Sequence, residues 1–282
     1  MTLQSEEGKQ MAHEHGLKRV AIAGLGPIGI KVMQALDAGI PGLGLSAVAV
    51  GDPDKPRPEL ERLKRKPRIV PVAELHDEAD LVIECAPAAA LASIVRPFVS
   101  RGKTALVLSA GALLENWDLV EEARKNSGQI AVPTGALIGL DAVTAAAEGV
   151  IRSVRMVTRK PIKGLLGAPY VIEKGIDLEG LREPTKIFDG TARAGAKGFP
   201  ANVNVAAALS LAGIGPDKTM LEVWADPGAD RNMHRIEVDA DSASFSMQIA
   251  NVPSENPKTG RITPLSVIAY LRKMHAPLRV GT

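Results

Sequence analysis

Gly24-Leu25-Gly26-Pro27-Ile28-Gly29 stands directly behind the apolar run Val20–Ala23 and opens the helical pattern Ile28–Ala38. Glycines at this spacing let the backbone turn tightly, approach a pyrophosphate and bring the next helix close against its strand. The helix N-terminus adds free N–H groups and a partial positive charge. The spacing alone is a weak signal; the strand before it and the helix after it give it weight. A second apolar run, Leu45–Gly51, leads into Asp52, near the expected distance for a carboxylate that grips the adenosine ribose. The bland alternative is that Asp52-Pro53 is merely a turn. Strand, glycines, helix and acid together predict a dinucleotide site built from Gly24, Gly26, Pro27, Ile28, Gly29 and Asp52.

Outward from this loop, short apolar runs alternate with helical patterns. Candidate strands are Arg19–Gly24, Leu45–Gly51, Asp80–Cys85, Thr104–Ser109 and Gln129–Val132, and helical stretches include Ala89–Val99 and Asn116–Asn126. Such alternation predicts right-handed βαβ units, an α/β fold with a Rossmann-type, doubly wound parallel sheet. Cys85-Ala86-Pro87 and Ser109-Ala110-Gly111 each follow an apolar run and so sit at strand carboxyl ends, where this architecture binds ligands. Ala86, Pro87 and Ala110 are small enough to leave room for the nicotinamide half. Cys85 reads as an ordinary buried small side chain, with nothing beside it to make a nucleophile.

The charge of Asp52 repels a 2′-phosphate and favours NAD. Lys55, Arg57 and the run Arg62, Lys64, Arg65, Lys66 and Arg68 leave NADP acceptable as well, because arginine suits phosphate. The run itself reads more simply as a solvated helix end.

The texture changes after Pro133. Ile151–Arg159, Met220–Ala225, Met233–Asp239 and Ser244–Ala250 alternate with period two, as half-buried strands do. The last two join through a short turn around Asp241, which predicts an antiparallel hairpin. A helix over Val203–Leu211 ends at Gly213, and Thr263–Met274 is an amphipathic helix with Thr263 placed as its cap. The expected division is a loose tail (1–17), a dinucleotide-binding domain (18–133), a smaller α+β catalytic and substrate domain (134–251), and a C-terminal helix (252–282) packing back on the first domain.

Parity picks out side chains in this second half. His234, Ile236 and Val238 share a face, so His234 begins the apolar side of its strand. A buried histidine that titrates near neutrality suits proton transfer. The competing reading is a core histidine satisfied by a backbone carbonyl. Val154, Met156, Thr158 and Lys160 also share a face, with the lysine at its end. A dicarboxylate substrate needs fixed cations, and Lys160 is a candidate for one; otherwise it has left the strand for solvent. Asn202 reads as the cap of the helix near Val203–Leu211, and Asn204 as an amide free to meet the nicotinamide carboxamide or the substrate.

Composition narrows the classes. The chain has 282 residues, 45 % of them hydrophobic, with a net charge of +2 and 3 % aromatics. That balance argues against nucleic acid as a partner. No apolar stretch is long enough to cross a bilayer, and the first sixteen residues lack the apolar core of a secretory signal. A single cysteine excludes an internal disulfide framework and fits a reducing, cytoplasmic setting. No cluster has metal-ligand spacing.

Longer stretches carry a family resemblance. They are Thr134-Gly135-Ala136-Leu137-Ile138-Gly139-Leu140-Asp141-Ala142, Thr158-Arg159-Lys160-Pro161, the run Phe199–Gly213 with its Phe-Pro-Ala-Asn-Val-Asn-Val opening, Ala225-Asp226-Pro227 and Asn232-Met233-His234. Together they resemble the L-aspartate dehydrogenase family over nearly the whole chain from Lys18 to Met274. The resemblance implies a homodimer of Rossmann and α/β catalytic domains that reversibly oxidises L-aspartate to iminoaspartate with NAD(P). The imine hydrolyses to oxaloacetate and ammonia, or supplies NAD biosynthesis. It implies His234 as the catalytic histidine, Asn204 as a cofactor contact and a further contact at Ile138. The family usually has a small residue at that last position, which leaves Ala136 as the neighbouring candidate. NAD is expected to lie with its nicotinamide toward the second domain. Two alternatives remain: another two-domain NAD(P)-dependent oxidoreductase of the aspartate-derived pathway, or a protein that senses NAD(H) without chemistry.

Overall fold

A computed structural model describes residues 16–52, 54–200, 203–254 and 260–282. Most of the N-terminal tail lies outside the described residues, as do Pro53 and Asn202, so the expected Asn202 cap falls there too. Strands β1 (Lys18–Ala23), β2 (Leu43–Ala49), β3 (Arg68–Ile69), β4 (Leu81–Glu84), β5 (Thr104–Val107) and β6 (Gln129–Ala131) form one sheet in the order β3-β2-β1-β4-β5-β6. The pairings β1–β2, β1–β4, β2–β3 and β5–β6 are parallel. This is the dinucleotide-binding strand order, with its switch point between β1 and β4. Val20–Ala23 and Leu81–Ile83 are fully buried, which is why these strands read as continuous apolar runs rather than alternating ones.

Helix α1 (Pro27–Ala38) leaves β1 through the glycine loop. Pro27 suits the start of a helix, since its missing N–H would have no intrahelical partner there. Gly26 is the N-cap and brings no capping side chain. The first-turn N–H groups therefore meet no side chain of their own cap.

The second sheet joins β7 (Ile151–Pro161), β8 (Thr185–Thr191), β9 (Thr219–Asp226), β10 (Asn232–Ala240) and β11 (Ser244–Asn251) in the order β11-β10-β7-β9-β8. Strand β10 runs antiparallel to β7 and β11, β8 antiparallel to β9, and β7 parallel to β9. Helices α2 (Ala110–Glu115), α3 (Ala192–Gly198) and α4 (Asn204–Ala212) belong to the same unit. Its core gathers Val154 and Met156 of β7, Leu221 and Val223 of β9, Ile236 of β10, and Ala206 and Leu209 of α4. Beside them the rings of Tyr170, Phe188 and Phe199 pack with centroids 5.2–5.6 Å apart.

By internal contacts the chain forms two units. One runs through Leu106 and takes in Leu119–Ala131 and Ile268–Arg279; the other holds Val107–Asp118, Val132–Val267 and Val280–Thr282. Helix α5 (Ile262–His275) contributes to both. It begins one residue before Thr263, so that residue lies inside the helix rather than capping it.

Strands β3 and β8 were not expected. β3 is two residues long inside the basic run. In β8 the neighbours Ile187 and Phe188 are both buried, and the register against β9 slips between Lys186 and Phe188, so the period of two is broken. The hairpin of β10 and β11 turns at Asp241 as expected.

Candidate active site

The glycine loop is a cradle shaped partly by the chain and partly by something outside it. Gly24 has φ +97°, and a Cβ there would stand 2.6 Å from the Cys85 carbonyl oxygen and 3.0 Å from the Ala86 nitrogen. Only glycine tolerates both that angle and that approach. A Cβ on Gly29 would run into the carbonyl oxygen of Gly24. A Cβ on Gly26 would meet no other residue within 4 Å, so no neighbouring protein atom demands glycine there. That opening, at the N-terminus of a 12-residue helix, fits a pyrophosphate approaching the backbone.

The same contacts bring Cys85 and Ala86 beside the loop, with Pro87 exposed just beyond. Burial, with the Glu84 carboxylate adding to it, pushes the Cys85 thiol well above its ordinary range, so it offers no thiolate. Asp52 is exposed, and its Oδ1 accepts the Asp54 N–H at 3.0 Å. Its carboxylate thus closes a turn while keeping its second oxygen for another donor. Arg57 donates to the Lys55 carbonyl at 2.7 Å. In the basic run, Lys66 pairs with Glu61 at 2.6 Å and Arg68 with Glu78.

The second unit holds its own group on the inner face of β7 and β10. Thr158, Lys160 and His234 are 0, 2 and 2 % exposed. His234 lies opposite Thr158 in the antiparallel register, and the Thr158 hydroxyl is 2.8 Å from His234 Nδ1. Its partner is therefore a side-chain hydroxyl, not the backbone carbonyl of the bland reading. Lys160 stays in the strand, pointing inward two residues on, while Arg159 points outward and binds Asp226 at 2.9 Å.

Burial pulls the Lys160 ammonium down to about 8, and no hydrogen bond or ion pair reaches it among the described residues. Burial also holds the His234 imidazolium well below its usual range, and the nearby lysine charge adds to this. With the imidazole neutral, the pair holds one poorly solvated cation and no counter-anion among the described residues.

Asn232 starts the same inner face of β10, 6 % exposed, with its side-chain oxygen unpartnered among the described residues. Asn204 opens α4, and its Oδ1 accepts the Gly111 N–H at 3.0 Å, which ties it to the residue after Ala110. Ala110 is itself buried. The Ala136 carbonyl accepts from Asn251 Nδ2 at 2.9 Å, and Ile138 is 37 % exposed.

The expected residues thus fall into groups: Gly24, Gly29 and Ala86 in the first unit, Lys160 and His234 in the second, and Asn204 with Ala110 also in the second. Sequence reasoning placed Thr158 on the inner face but gave it no role. Only the register of β7 against β10 shows what it touches. Asn232 was quoted as part of a motif and likewise given no role.

Known proteins were compared with this chain. Residues 141–274 match the aspartate dehydrogenase C-terminal family, and residues 24–133 match the NAD-binding domain of homoserine dehydrogenase. An L-aspartate dehydrogenase of Bradyrhizobium diazoefficiens is 63 % identical over 264 residues, covering 94 % of each chain. One from Bordetella bronchiseptica is 58 % identical, covering 93 % of this chain and 97 % of its own. Aspartate dehydrogenase from Thermotoga maritima superposes with a TM-score of 0.68 over 94 % of this chain and 99 % of its own; at 21 % identity it shows a shared fold. The glycine cradle has the strand order of a pyridine-nucleotide site, and high identity extends over both units: the chain belongs to the L-aspartate dehydrogenase family.

Proposed function

We propose that the chain oxidises L-aspartate to iminoaspartate with NAD(P) and runs the reverse reaction on oxaloacetate and ammonia. The observation that carries this reading is the buried Lys160 ammonium, without a partner among the described residues, two residues from Thr158 and its bonded His234. An inward cation costs free energy unless an anion meets it, and a dicarboxylate brings one. The names of relatives 63 and 58 % identical support the same substrate.

A bound nicotinamide cofactor would supply the hydride chemistry at Cα of the substrate, in either direction. The chain's own groups do the rest. Gly24, Gly26 and Gly29 admit the pyrophosphate, with Pro27 and Ile28 in the first helical turn. Asp52 receives the ribose hydroxyls, which makes NAD the main cofactor; Lys55 and Arg57 nearby leave NADP usable. The residues assigned to the nicotinamide end are Ala86 and Pro87 in the first unit, and Ala110, Asn204, Ala136 and Ile138 in the second. Lys160 holds a substrate carboxylate. His234 is neutral at pH 7 and takes a proton at Nε2 from the substrate ammonium or from water attacking the imine.

The outward face of the second sheet carries half-buried Met233 and Trp224 among charges, and we assign it to a homodimer contact. One cysteine in the whole chain suits a reducing compartment, the cytoplasm. The test is absorbance at the reduced-nicotinamide band, with L-aspartate plus NAD or NADP, and with oxaloacetate, ammonia and reduced cofactor. Homoserine serves as a control substrate. Turnover on aspartate that falls by about 10²–10⁴-fold in His234→Ala, with cofactor binding retained, is the expected result. No turnover on aspartate despite cofactor binding discards the substrate; near-normal turnover in His234→Ala discards the base.

A further inference from the structure

The inner face of β7 and β10 contains a hydroxyl that the reaction itself does not require. Thr158 is fully buried, and its Oγ1 meets His234 Nδ1 at 2.8 Å across the antiparallel pair. Among the described residues, neither side chain makes another hydrogen bond. The bond ties up Nδ1 and leaves Nε2 as the nitrogen that a ligand can meet. Imidazole in its neutral form carries one proton, and the partner of one nitrogen decides which nitrogen has it. If the threonine oxygen accepts from Nδ1–H, Nε2 presents a lone pair and acts as a base. If the threonine hydrogen is donated to Nδ1, Nε2 carries the proton and no base is available.

We propose that Thr158 is the positioning residue of His234: its hydroxyl oxygen accepts from Nδ1–H across the strand pair and keeps the Nε2 lone pair turned to the substrate, while its own hydrogen is left to donate to the bound substrate or its water. The assignment rests on the proposed role of His234 as the proton acceptor. It goes further by naming the atom that exchanges the proton and the residue that selects it. A carboxylate in place of the hydroxyl would orient the ring equally well, but would also stabilise the imidazolium. A neutral hydroxyl orients without adding a charge.

The surrounding charges agree with that division. Lys160 of β7 shares the inner face and opposes protonation of His234. The residue opposite His234 on β11 is Ile249, and the inner face of β9 contributes Val223 and Ala225, none of them charged. Arg159, Glu222, Asp226 and Arg235 occupy the outward positions of β7, β9 and β10. Orientation by Thr158 and discharge by Lys160 together yield a neutral imidazole with a defined free nitrogen.

Nitrogen-15 NMR of the full chain labelled at histidine reads the tautomer directly. There are five histidines, and His234→Ala identifies the resonances of this one. The expected spectrum has the proton on Nδ1 in the parent and in Thr158→Ser, and loses that preference in Thr158→Val, which keeps the shape without the oxygen. Steady-state turnover on L-aspartate is expected to fall about 10- to 100-fold in kcat for Thr158→Val, with little change in KM, and to recover in Thr158→Ser. Full removal of the base costs about 10²–10⁴-fold. Thr158→Asp should move the acid limb of the kcat profile to higher pH, because a carboxylate beside Nδ1 stabilises the imidazolium; the tautomer and its rescue in Thr158→Ser are the readouts that a purely structural role does not move.

A parent spectrum with the proton on Nε2, or an unchanged tautomer in Thr158→Val, overturns the assignment whatever the substrate proves to be. An absence of turnover on aspartate in the parent overturns the substrate reading instead, and the spectra still decide the tautomer. A Thr158→Val variant that loses cofactor binding has lost its fold. In that case the Thr158→Ser spectrum decides: the proton on Nδ1 supports the assignment, and the proton on Nε2 overturns it.

Discussion

Replacing Lys160 with methionine should make the ligand-free protein more stable while making it a poorer enzyme. Lysine and methionine have similar stems, so the change mainly removes a charge from a position that is 2 % exposed. In the folded chain the ammonium titrates at about 8, against 10.5 when unfolded. At about 1.4 kcal/mol per tenfold, the difference corresponds to a cost of about 3 kcal/mol for burying the charge. The sign follows from proton counting. Below pH 8 both states hold the proton and the whole cost is present. Between pH 8 and 10.5 the folded state releases it first, so the cost shrinks as pH rises; above 10.5 it is gone.

Urea unfolding of the parent and Lys160→Met at pH 7 and pH 10.5, without ligand, measures this. The variant should lead by about 3 kcal/mol at pH 7, worth roughly 6 °C in Tm for a chain of this size, and by little at pH 10.5. Its KM for L-aspartate should rise roughly 30-fold, from loss of a charge-assisted bond worth about 2 kcal/mol. A variant no more stable than the parent at pH 7, or one whose advantage persists at pH 10.5, would show that the lysine is already compensated in the free protein. The reasoning about a dicarboxylate would then lose its foundation.

The cradle and the first unit make further predictions. Gly29→Ala forces a methyl group against the Gly24 carbonyl oxygen, so affinity for reduced nicotinamide cofactor, followed by its fluorescence, should fall by at least about tenfold; unchanged affinity would mean the loop yields freely. Asp52→Ser should narrow the preference for NAD over NADP by roughly tenfold in kcat/KM, and an unaltered ratio would remove Asp52 from the ribose. Cys85 is only partly buried, but its raised pKa disfavours the thiolate, so the native chain should react with a disulfide reagent at pH 8 far more slowly than the unfolded one; labelling at the unfolded rate would contradict that.

The fold was legible where the physics is local. A parallel strand buried on both faces has to be apolar throughout, and a phosphate-approaching turn has to be glycine, so β1, β4 and the loop between β1 and α1 announce themselves. Handedness constrains each βαβ unit, but the strand order itself came only from the structure. What escaped was non-local. β3 is two residues long and held by pairing with Ala47 and Val48 rather than by its own pattern. β8 buries the neighbours Ile187 and Phe188 together at a register slip, so its alternation disappears where Phe188 joins the aromatic cluster. Helix α2 begins at Ala110 because the chain ends β5 at Val107, two residues earlier than the apolar run suggests. Nothing in that run marks the stop.

The site divides along the same line. Parity alone put His234 and Lys160 on inward faces, because a strand has only two faces and the neighbours Ile236, Val238, Val154 and Met156 settle which is apolar. Parity cannot supply register. Whether His234 meets Thr158, Met156 or Lys160 depends on how β10 slides along β7, and a slide of two residues preserves every inward position. The observed register sets the hydroxyl at the ring nitrogen and leaves the lysine one inward step away, without a partner among the described residues. A chain selected for stability alone would favour an apolar side chain at Lys160, by the arithmetic above. A cost of that kind on an otherwise well-packed face is characteristic of a functional site. The ligand it calls for must be anionic, and small enough to reach a side chain that exposes 2 % of its surface.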